Sequence, residues 1–388
     1  KVEIGFVDFS KEERNKVLLT LRLLGTPTAL DELGIGVIRD AFADILFPGI
    51  STLQTRAKYF VLIPYLFEKA AHQKLSSGRE LYRWLVASED KMVETLVKNS
   101  ESGETGIIGR EALKQNRTVK LKPSSIYWGG LRTFEIVRNP KITLAAACNV
   151  AWARRQKKRE IKPVTEEDSY NDPTAGHGHA VLFSPLVPDK DFEKNASIVL
   201  TRKEAEFLTL KITSALRSKD TLLAFLIKHR LNFDSFHEIE VDLLPSDIKQ
   251  DYLLAKGFSD FIYGAHLRYN VIFSNYQDEN MLERFIDWRT EFIRRDFNLQ
   301  AILGRISCNY AAAKFCIDFL STVYQNDFKN MDELIISREI EVKGDRSKLL
   351  KPEEYRYDPA RPAHYYKLDF RFGTAKTIIA DIIKGLEA

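Results

Sequence analysis

Positive charge is concentrated in one part of the chain. Between Arg110 and Lys162 stand fourteen Lys or Arg and only three acids, a net charge of +11, whereas the 388-residue chain carries +4, so the rest carries −7. A compact segment with this imbalance repels itself unless a polyanion or an acidic surface offsets it. Because cations that neutralise phosphates release counterions, the segment predicts salt-dependent binding of DNA or RNA.

The spacing inside this segment is typical of a helix-turn-helix. The stretch 109–116 predicts a short helix, RTVKLKP a basic turn, and Ser124 or Ser125 a cap for a second helix, SIYWGGLRTFEIV. In such a unit the second helix enters the major groove. Tyr127 and Trp128 would stack or wedge there, the two serines would contact the backbone, and the cations would hold phosphates. The predicted nucleic-acid-binding residues are Arg117, Lys120, Lys122, Ser124, Ser125, Tyr127, Trp128, Arg132, Arg154, Arg155, Lys157, Lys158 and Arg159.

Other interpretations of the same charge stay open. RRQKKRE (154–160) also suits a helix end, where cations complement the helix dipole. The segment can be a solvated face, a scaffold surface that docks an acidic protein, or the partner of an acidic face in the same chain. The pair Gly129-Gly130 departs from a recognition helix, since each glycine costs about 0.5–1 kcal/mol relative to Ala.

A second alternative is a metal-dependent nuclease. Glu341 and Lys343 end the run ELIISREIEVK (333–343), whose β-branched residues predict a strand, and Glu-x-Lys is half of a restriction-type nuclease core. The site needs an upstream carboxylate to hold Mg²⁺, for which Asp327 or Asp332 is available. As secondary phosphate contacts we predict Arg338, Lys343, Arg346 and Lys348.

Other chemical signals are weak. His177 and His179 stand between glycines near Asp172 without a convincing further ligand, which favours a loop over a metal site. No GxxxxGK[ST] pattern occurs. We therefore expect no metal and no cofactor, and a binding protein more than an enzyme. The three cysteines form no framework, which is typical of a reducing cytoplasm.

The elements predicted around these residues are mostly helices. We predict a mainly α fold with minor β, containing a helix-turn-helix or winged-helix-like segment. The strands are 2–9 and 333–343. The helices are 31–47, 54–73 (kinked or divided at Pro64), 79–99, 142–159, 220–231, 246–256, 258–275, 278–297, 299–325 and 374–388, with capping boxes at Ser10/Glu13 and Thr201/Glu204.

The predicted organisation has four consecutive regions. They are a helical region (1–100), the basic region (101–162), a linker or long loop (163–200), and a helical domain with the late strand and closing helix (201–388). The longest apolar run, YFVLIPYLF (59–67), falls far short of the roughly 20 residues that cross a bilayer, so we expect no membrane contact.

Several strings along the chain carry a family resemblance. They are FVDFS (6–10), DELGIGVIRDAFADILFPGISTLQTRAKYF (31–60), GIIGREA (106–112), PSSIYWGGLR (123–132), REIEVKGDRSKL (338–349) and LDFRF…IIADIIKGL (368–386). Together they resemble a bacterial family of uncharacterised proteins with a domain of unknown function. The resemblance implies an accessory or sensor subunit of a phage-defence or DNA-processing system, with a helicase or methyltransferase among its partners.

Overall fold

The computed structural model describes residues 31–101, 103–160, 182–184 and 191–388, and of residues 157–160 it describes the backbone alone. Within these ranges the chain is mainly helical, as predicted, and its β pairing is limited to one bridge between Val137 and Phe183. The predicted strand 2–9, the capping box at Ser10 and the His177/His179 pair lie outside the described residues. The helices are α1 (Gly36–Leu46), α2 (Tyr59–Ala71), α3 (Gly78–Lys98), α4 (Arg110–Lys114), α5 (Pro123–Thr133), α6 (Leu144–Glu160), α7 (Phe192–Asn195), α8 (Arg202–Ser214), α9 (Leu222–Lys228), α10 (Ser246–Phe273), α11 (Glu279–Phe292), α12 (Leu299–Arg305), α13 (Tyr310–Gln325), α14 (Phe328–Lys343) and α15 (Phe372–Glu387).

The described residues form two compact units. The first contains residues 31–42 and 253–368, and the second contains the described parts of 43–252 together with 369–388. Each unit is therefore built from two separate stretches of chain, whereas the four predicted regions are consecutive; their boundaries stay a prediction.

Helix α2 is the core of the second unit. Its sequence is apolar all round, and ten of its thirteen residues are buried, as such a pattern requires. Of the two outcomes expected at Pro64, a kink or a division, the division does not occur, because one helix continues through it. Helices α3, α5 and α6 pack on α2, and α3 packs in turn on α4 and α6.

A second group of helices in this unit consists of α8, α9 and α15. The predicted capping box is confirmed: the Thr201 side chain accepts from the Glu204 amide, and the Glu204 carboxylate accepts from the Thr201 amide. The closing helix is also confirmed. Its buried face carries Asp381, whose carboxylate accepts hydrogen bonds from the Arg56 guanidinium at 2.9 and 3.0 Å.

The first unit is built on α10 to α14 around clustered aromatic rings. Phe261 lies at its centre and contacts Phe258, Phe292, Phe297 and Phe319. Two helix predictions are corrected here. The helices expected at 246–256 and 258–275 are one helix, and the helix expected at 299–325 is two, because the Asn309 side chain caps a new start by accepting from the Ala312 amide.

The strand predicted at 333–343 is wrong, since these residues belong to α14. The Asp327 side chain caps the helix by accepting from the Asn330 amide at 3.1 Å. The buried positions Met331, Ile335 and Glu339 recur every four residues, which is the helical period. Burial at the helical spacing and the Asp327 cap therefore outweigh the strand propensity of the β-branched residues in this run.

Candidate nucleic-acid interface and a buried polar cluster

Helices α4, α5 and α6 carry the basic segment of the second unit. Gly78, at the start of α3, lies directly against Asn149 of α6, and Val93 lies against Gly109 at the start of α4. These contacts are fifteen residues apart on one helix, which corresponds to about 22 Å at ~1.5 Å per residue. Helix α3 therefore holds the start of α4 and the middle of α6 about 22 Å apart along its axis.

The start of α5 is tied to α3 by acids. The Lys122 ammonium lies 2.6 Å from Asp90. The Glu89 carboxyl accepts from the Ser124 amide at 2.5 Å and lies 3.1 Å from the Ser124 hydroxyl. Burial raises the pKa of Glu89 to about 8 despite these bonds, so the side chain is mostly protonated at neutral pH. Lys122 and Ser124 are consequently structural residues.

The two aromatics of α5 face the core, and this contradicts the expectation that they stack on bases. Tyr127 is 0% exposed, accepts from the amides of Thr55 and Arg56, and donates to the Arg56 carbonyl. Trp128 is 6% exposed and donates to the Ile142 carbonyl at 2.9 Å. A buried ring cannot contact a groove, so neither aromatic can play the role that was predicted for it in a recognition helix.

Six further described cations of the segment lie at exposed or half-buried positions. Arg117, Lys120, Arg138, Lys141 and Arg154 are exposed, and Arg132 is half-buried. None of these six forms an ion pair with any residue that the structure describes. The described acids of the segment are engaged elsewhere: Glu111 pairs with Lys114, and Glu135 accepts from the Leu216 amide. Ser125 is half-buried at the start of α5.

The basic end of α6 is only partly described. Arg155 is half-buried and donates to the Ala71 carbonyl at 2.8 Å, and so it anchors the helix to the end of α2. The side chains of Lys157, Lys158 and Arg159 lie outside the described residues. Their predicted contacts with phosphate stay predictions.

The residues predicted around the Glu-x-Lys pattern belong to the first unit and are mostly engaged within it. Arg338 donates to the Leu33 carbonyl and pairs with Glu341, and Lys343 is 6% exposed. These contacts contradict the predicted phosphate role for Arg338 and Lys343, while Arg346 is exposed. Since Asp327 is a helix cap and α14 is not a strand, the geometry does not support a nuclease core. Among the described residues no group of three or more His, Cys, Asp or Glu could hold a metal ion.

Lys343 belongs to a buried polar cluster that the sequence did not predict. Glu32, whose side chain is 3% exposed, pairs with Lys343 at 2.5 Å and with Lys348 at 3.1 Å, and its other oxygen contacts His364. Burial by itself raises the pKa of Glu32, but His364, Lys343 and Lys348 outweigh it and hold the pKa below the ordinary value.

Two further groups complete this cluster. Glu339 is 0% exposed and accepts from the Tyr269 hydroxyl, the Ser347 hydroxyl and the amides of Lys348 and Leu349. His266 is buried beside His364, and neither of its ring nitrogens has a hydrogen-bond partner among the described residues. Burial lowers its pKa to about 3. Glu32 lies more than 300 residues before Lys343, so no local motif could have indicated that the two side chains pair.

These features define a helical protein whose second unit has cations without an acidic partner among the described residues, and whose first unit encloses the buried polar cluster. No described helix has the length and apolar character that crossing a bilayer requires. Residues 2–148 match a family of unknown function (DUF6361), a stretch that contains α1 to α5 and the start of α6. The predicted resemblance to a family of unknown function is confirmed for that stretch. No curated protein and no solved structure matches the chain.

Proposed function

We propose that this protein binds nucleic acid through phosphate contacts made by the surface cations of α4 to α6 and their connecting loops. The observation that carries the proposal is the set of six cations, defined above, that have no acidic partner among the described residues. Buried cations of the same unit are paired: Lys122 with Asp90, Lys58 with Glu204, and Arg56 with both Asp381 and Glu104. The unpaired cations are therefore available to an external polyanion.

The proposed contacts are to the backbone, not to base edges. The side chains expected to reach bases, Tyr127 and Trp128, are buried, and phosphate contacts by themselves carry no sequence information. We therefore expect little sequence preference and a strong dependence on salt. A duplex presents one charge per ~1.7 Å of its axis, so a span of about 22 Å offers more phosphates than the six cations can neutralise.

A triple charge reversal tests this proposal. Arg117→Glu, Lys120→Glu and Lys141→Glu together should weaken binding of a labelled DNA duplex by tenfold or more at 100 mM salt. The slope of log K against log salt should fall by about 3, because each lost phosphate contact removes about 0.9 from it. Fluorescence anisotropy from 50 to 200 mM NaCl measures both quantities, and the melting temperature should not change because the three side chains are exposed and unpaired.

The matched control reverses three exposed cations elsewhere, Lys228, Arg294 and Lys329, which also have no ion pair among the described residues. It changes net charge by the same amount and should leave binding nearly unaltered. Equal weakening by both variants, or wild-type affinity that does not respond to salt, would refute the proposed surface. The accessory role in phage defence or DNA processing, with a helicase or methyltransferase as partner, stays a prediction.

A further inference from the structure

The segment 363–367 of the first unit presents an exposed aromatic ring from a fixed backbone. The Ala363 amide donates to Asn270, and the Asn270 amide group donates to the Ala363 carbonyl, at 2.8 and 2.7 Å. The next residue, His364, has φ +47° and contacts the buried Glu32. Beyond the segment, the Leu368 carbonyl accepts from Ser259 at 3.0 Å. The backbone is thus held on both sides of Tyr365, Tyr366 and Lys367.

Tyr366 is 80% exposed although it sits in this fixed position. Its ring meets the Tyr365 ring at 5.1 Å and 68°, and the Arg284 guanidinium covers Tyr365 at 4.6 Å from the ring centre. Arg284 has no ion pair with a described residue, and its guanidinium lies over the Tyr365 ring instead. Arg284 thus covers the Tyr365 ring, the Tyr365 and Tyr366 rings meet edge to face, and the Tyr366 ring is open to solvent.

Another cation lies in the same segment as these two rings. The Lys367 ammonium lies 5.8 Å from the centre of the Tyr263 ring, and the charge of Arg284 also acts on the Tyr263 hydroxyl. Asp260 lies 2.5 Å from Lys367 and 3.2 Å from Arg295 and offsets part of the positive charge. We call Tyr263, Arg284, Tyr365, Tyr366 and Lys367 the tyrosine patch.

We propose that the tyrosine patch is a second nucleic-acid site, in which an unpaired nucleobase stacks on Tyr366 while Arg284 and Lys367 lie near the adjoining phosphates. Exposed aromatics beside cations bind single strands in this manner, because every base offers a π-face and the backbone remains negative. In a duplex the base faces are stacked on one another, so Tyr366 should add no affinity for a duplex. This inference rests on the proposed function, from which it takes nucleic acid as the ligand. It adds a preference for single-stranded segments.

Tyr366→Ala tests the proposal, with a fluorescein-labelled oligodeoxythymidine 15-mer as the single-stranded probe. Base stacking of ordinary strength predicts a loss of about 5- to 150-fold in affinity for this probe and no change for a duplex of equal length. Tyr366→Trp, which keeps a flat ring, should retain binding. Tyr310→Ala is the matched control, because Tyr310 is also 80% exposed in the same unit but lies on α13 away from the segment 363–367.

Photocrosslinking locates the contact independently. An oligonucleotide with 5-iodouracil, irradiated on the wild-type protein, should attach to the peptide that carries Tyr366, and mass spectrometry identifies the residue. Crosslinks that map elsewhere, or single-strand affinity of Tyr366→Ala within twofold of wild type, would overturn the inference.

The two proposals fail in different ways. If the triple charge reversal weakens duplex binding while Tyr366→Ala changes nothing, the tyrosine patch is refuted and the proposed function stands. If Tyr366→Ala weakens single-strand binding while the charge reversal has no effect, the cation surface is refuted and the patch is supported. Wild-type protein that binds neither probe at 50 mM salt refutes both.

Discussion

Glu32 illustrates how a single buried charge depends on partners that the chain supplies from far away. Its side chain and that of Lys343 are each 3% exposed, and their 2.5 Å pair is supported by Lys348. Removal of one member of a buried pair leaves the other as an uncompensated charge, which typically costs 3–5 kcal/mol. Solvent-exposed pairs contribute far less.

We therefore expect Glu32→Gln to lower the free energy of unfolding by about 3 kcal/mol. Glu291→Gln is the control: its carboxylate is 70% exposed and pairs with Arg295, which is 49% exposed, so its loss should cost less than about 1 kcal/mol. Urea denaturation of the two variants and the wild type measures the difference. Equal stabilities would show that the cluster does not stabilise the first unit.

The same carboxylate sets an acid limit on stability. Because the folded pKa of Glu32 is depressed, its contribution is present above the ordinary pKa and is lost as pH falls through the folded value. The Glu32→Gln variant lacks this pH-dependent contribution. The difference in the free energy of unfolding between wild type and variant should therefore become smaller toward low pH.

At the scale of elements, α5 shows why neighbouring glycines are not equivalent. A Cβ at Gly130 would lie 2.5 Å from the Gly49 carbonyl oxygen and 2.6 Å from the Phe60 ring, whereas one at Gly129 would meet nothing within 4 Å. Helix α5 can thus approach the start of α2 closely only because residue 130 has no side chain.

Gly130→Ala should destabilise the protein by about 1–3 kcal/mol, the range for overpacked sites. Gly129→Ala should be neutral or stabilising by about 0.5–1 kcal/mol, because alanine costs less than glycine in a helix interior. The pair of melting temperatures tests this directly. A Gly130→Ala variant as stable as wild type would contradict the packing of α5 described above.

Glu89 makes the junction of α3 and α5 sensitive to pH. Its folded pKa is about 8 against an ordinary 4.5, so between these values the folded state holds a proton that the unfolded state has released. Stability consequently falls as pH rises through this window, by up to about 1.4 kcal/mol per pH unit. Above the folded pKa of about 8, the contribution of protonated Glu89 to stability is lost completely.

Glu89→Gln should remove this dependence, since an amide keeps the bonds to Ser124 without a titration. The variant should match wild type near pH 5 and exceed it at pH 8 in chemical denaturation. Glu94→Gln, an exposed position on the same helix, is the control and should leave the pH profile unaltered. A wild-type profile that Glu89→Gln does not change would show that Glu89 ionises normally.

At the scale of the whole molecule, burial is related to whether a cation has an acidic partner. Cations inside either unit have acids within salt-bridge distance, as Arg56, Lys58, Arg268 and Lys343 show. Five described cations of the segment 110–162 that have no acidic partner among the described residues are exposed instead, namely Arg117, Lys120, Arg138, Lys141 and Arg154. Desolvation explains the difference, because a buried charge needs a partner and a solvated one does not.

The sequence by itself determined the features that depend on near neighbours. Helical periodicity, the capping box at Thr201, the closing helix and the local surplus of +11 follow from residues within a few positions of one another. These signals were sufficient for the fold class and for most helices. They failed where the Asn309 cap divides a predicted helix and where a predicted strand belongs to α14.

The tertiary structure decided which side chains are available. Tyr127 is held by Thr55 and Arg56, more than seventy residues away, and Glu32 by Lys343, 311 residues away. Burial and ion pairing depend on such distant partners, which no local pattern specifies. For the same reason the run 333–343 folds as a helix, and Tyr366 is exposed while Tyr127, of the same residue type, is in the core.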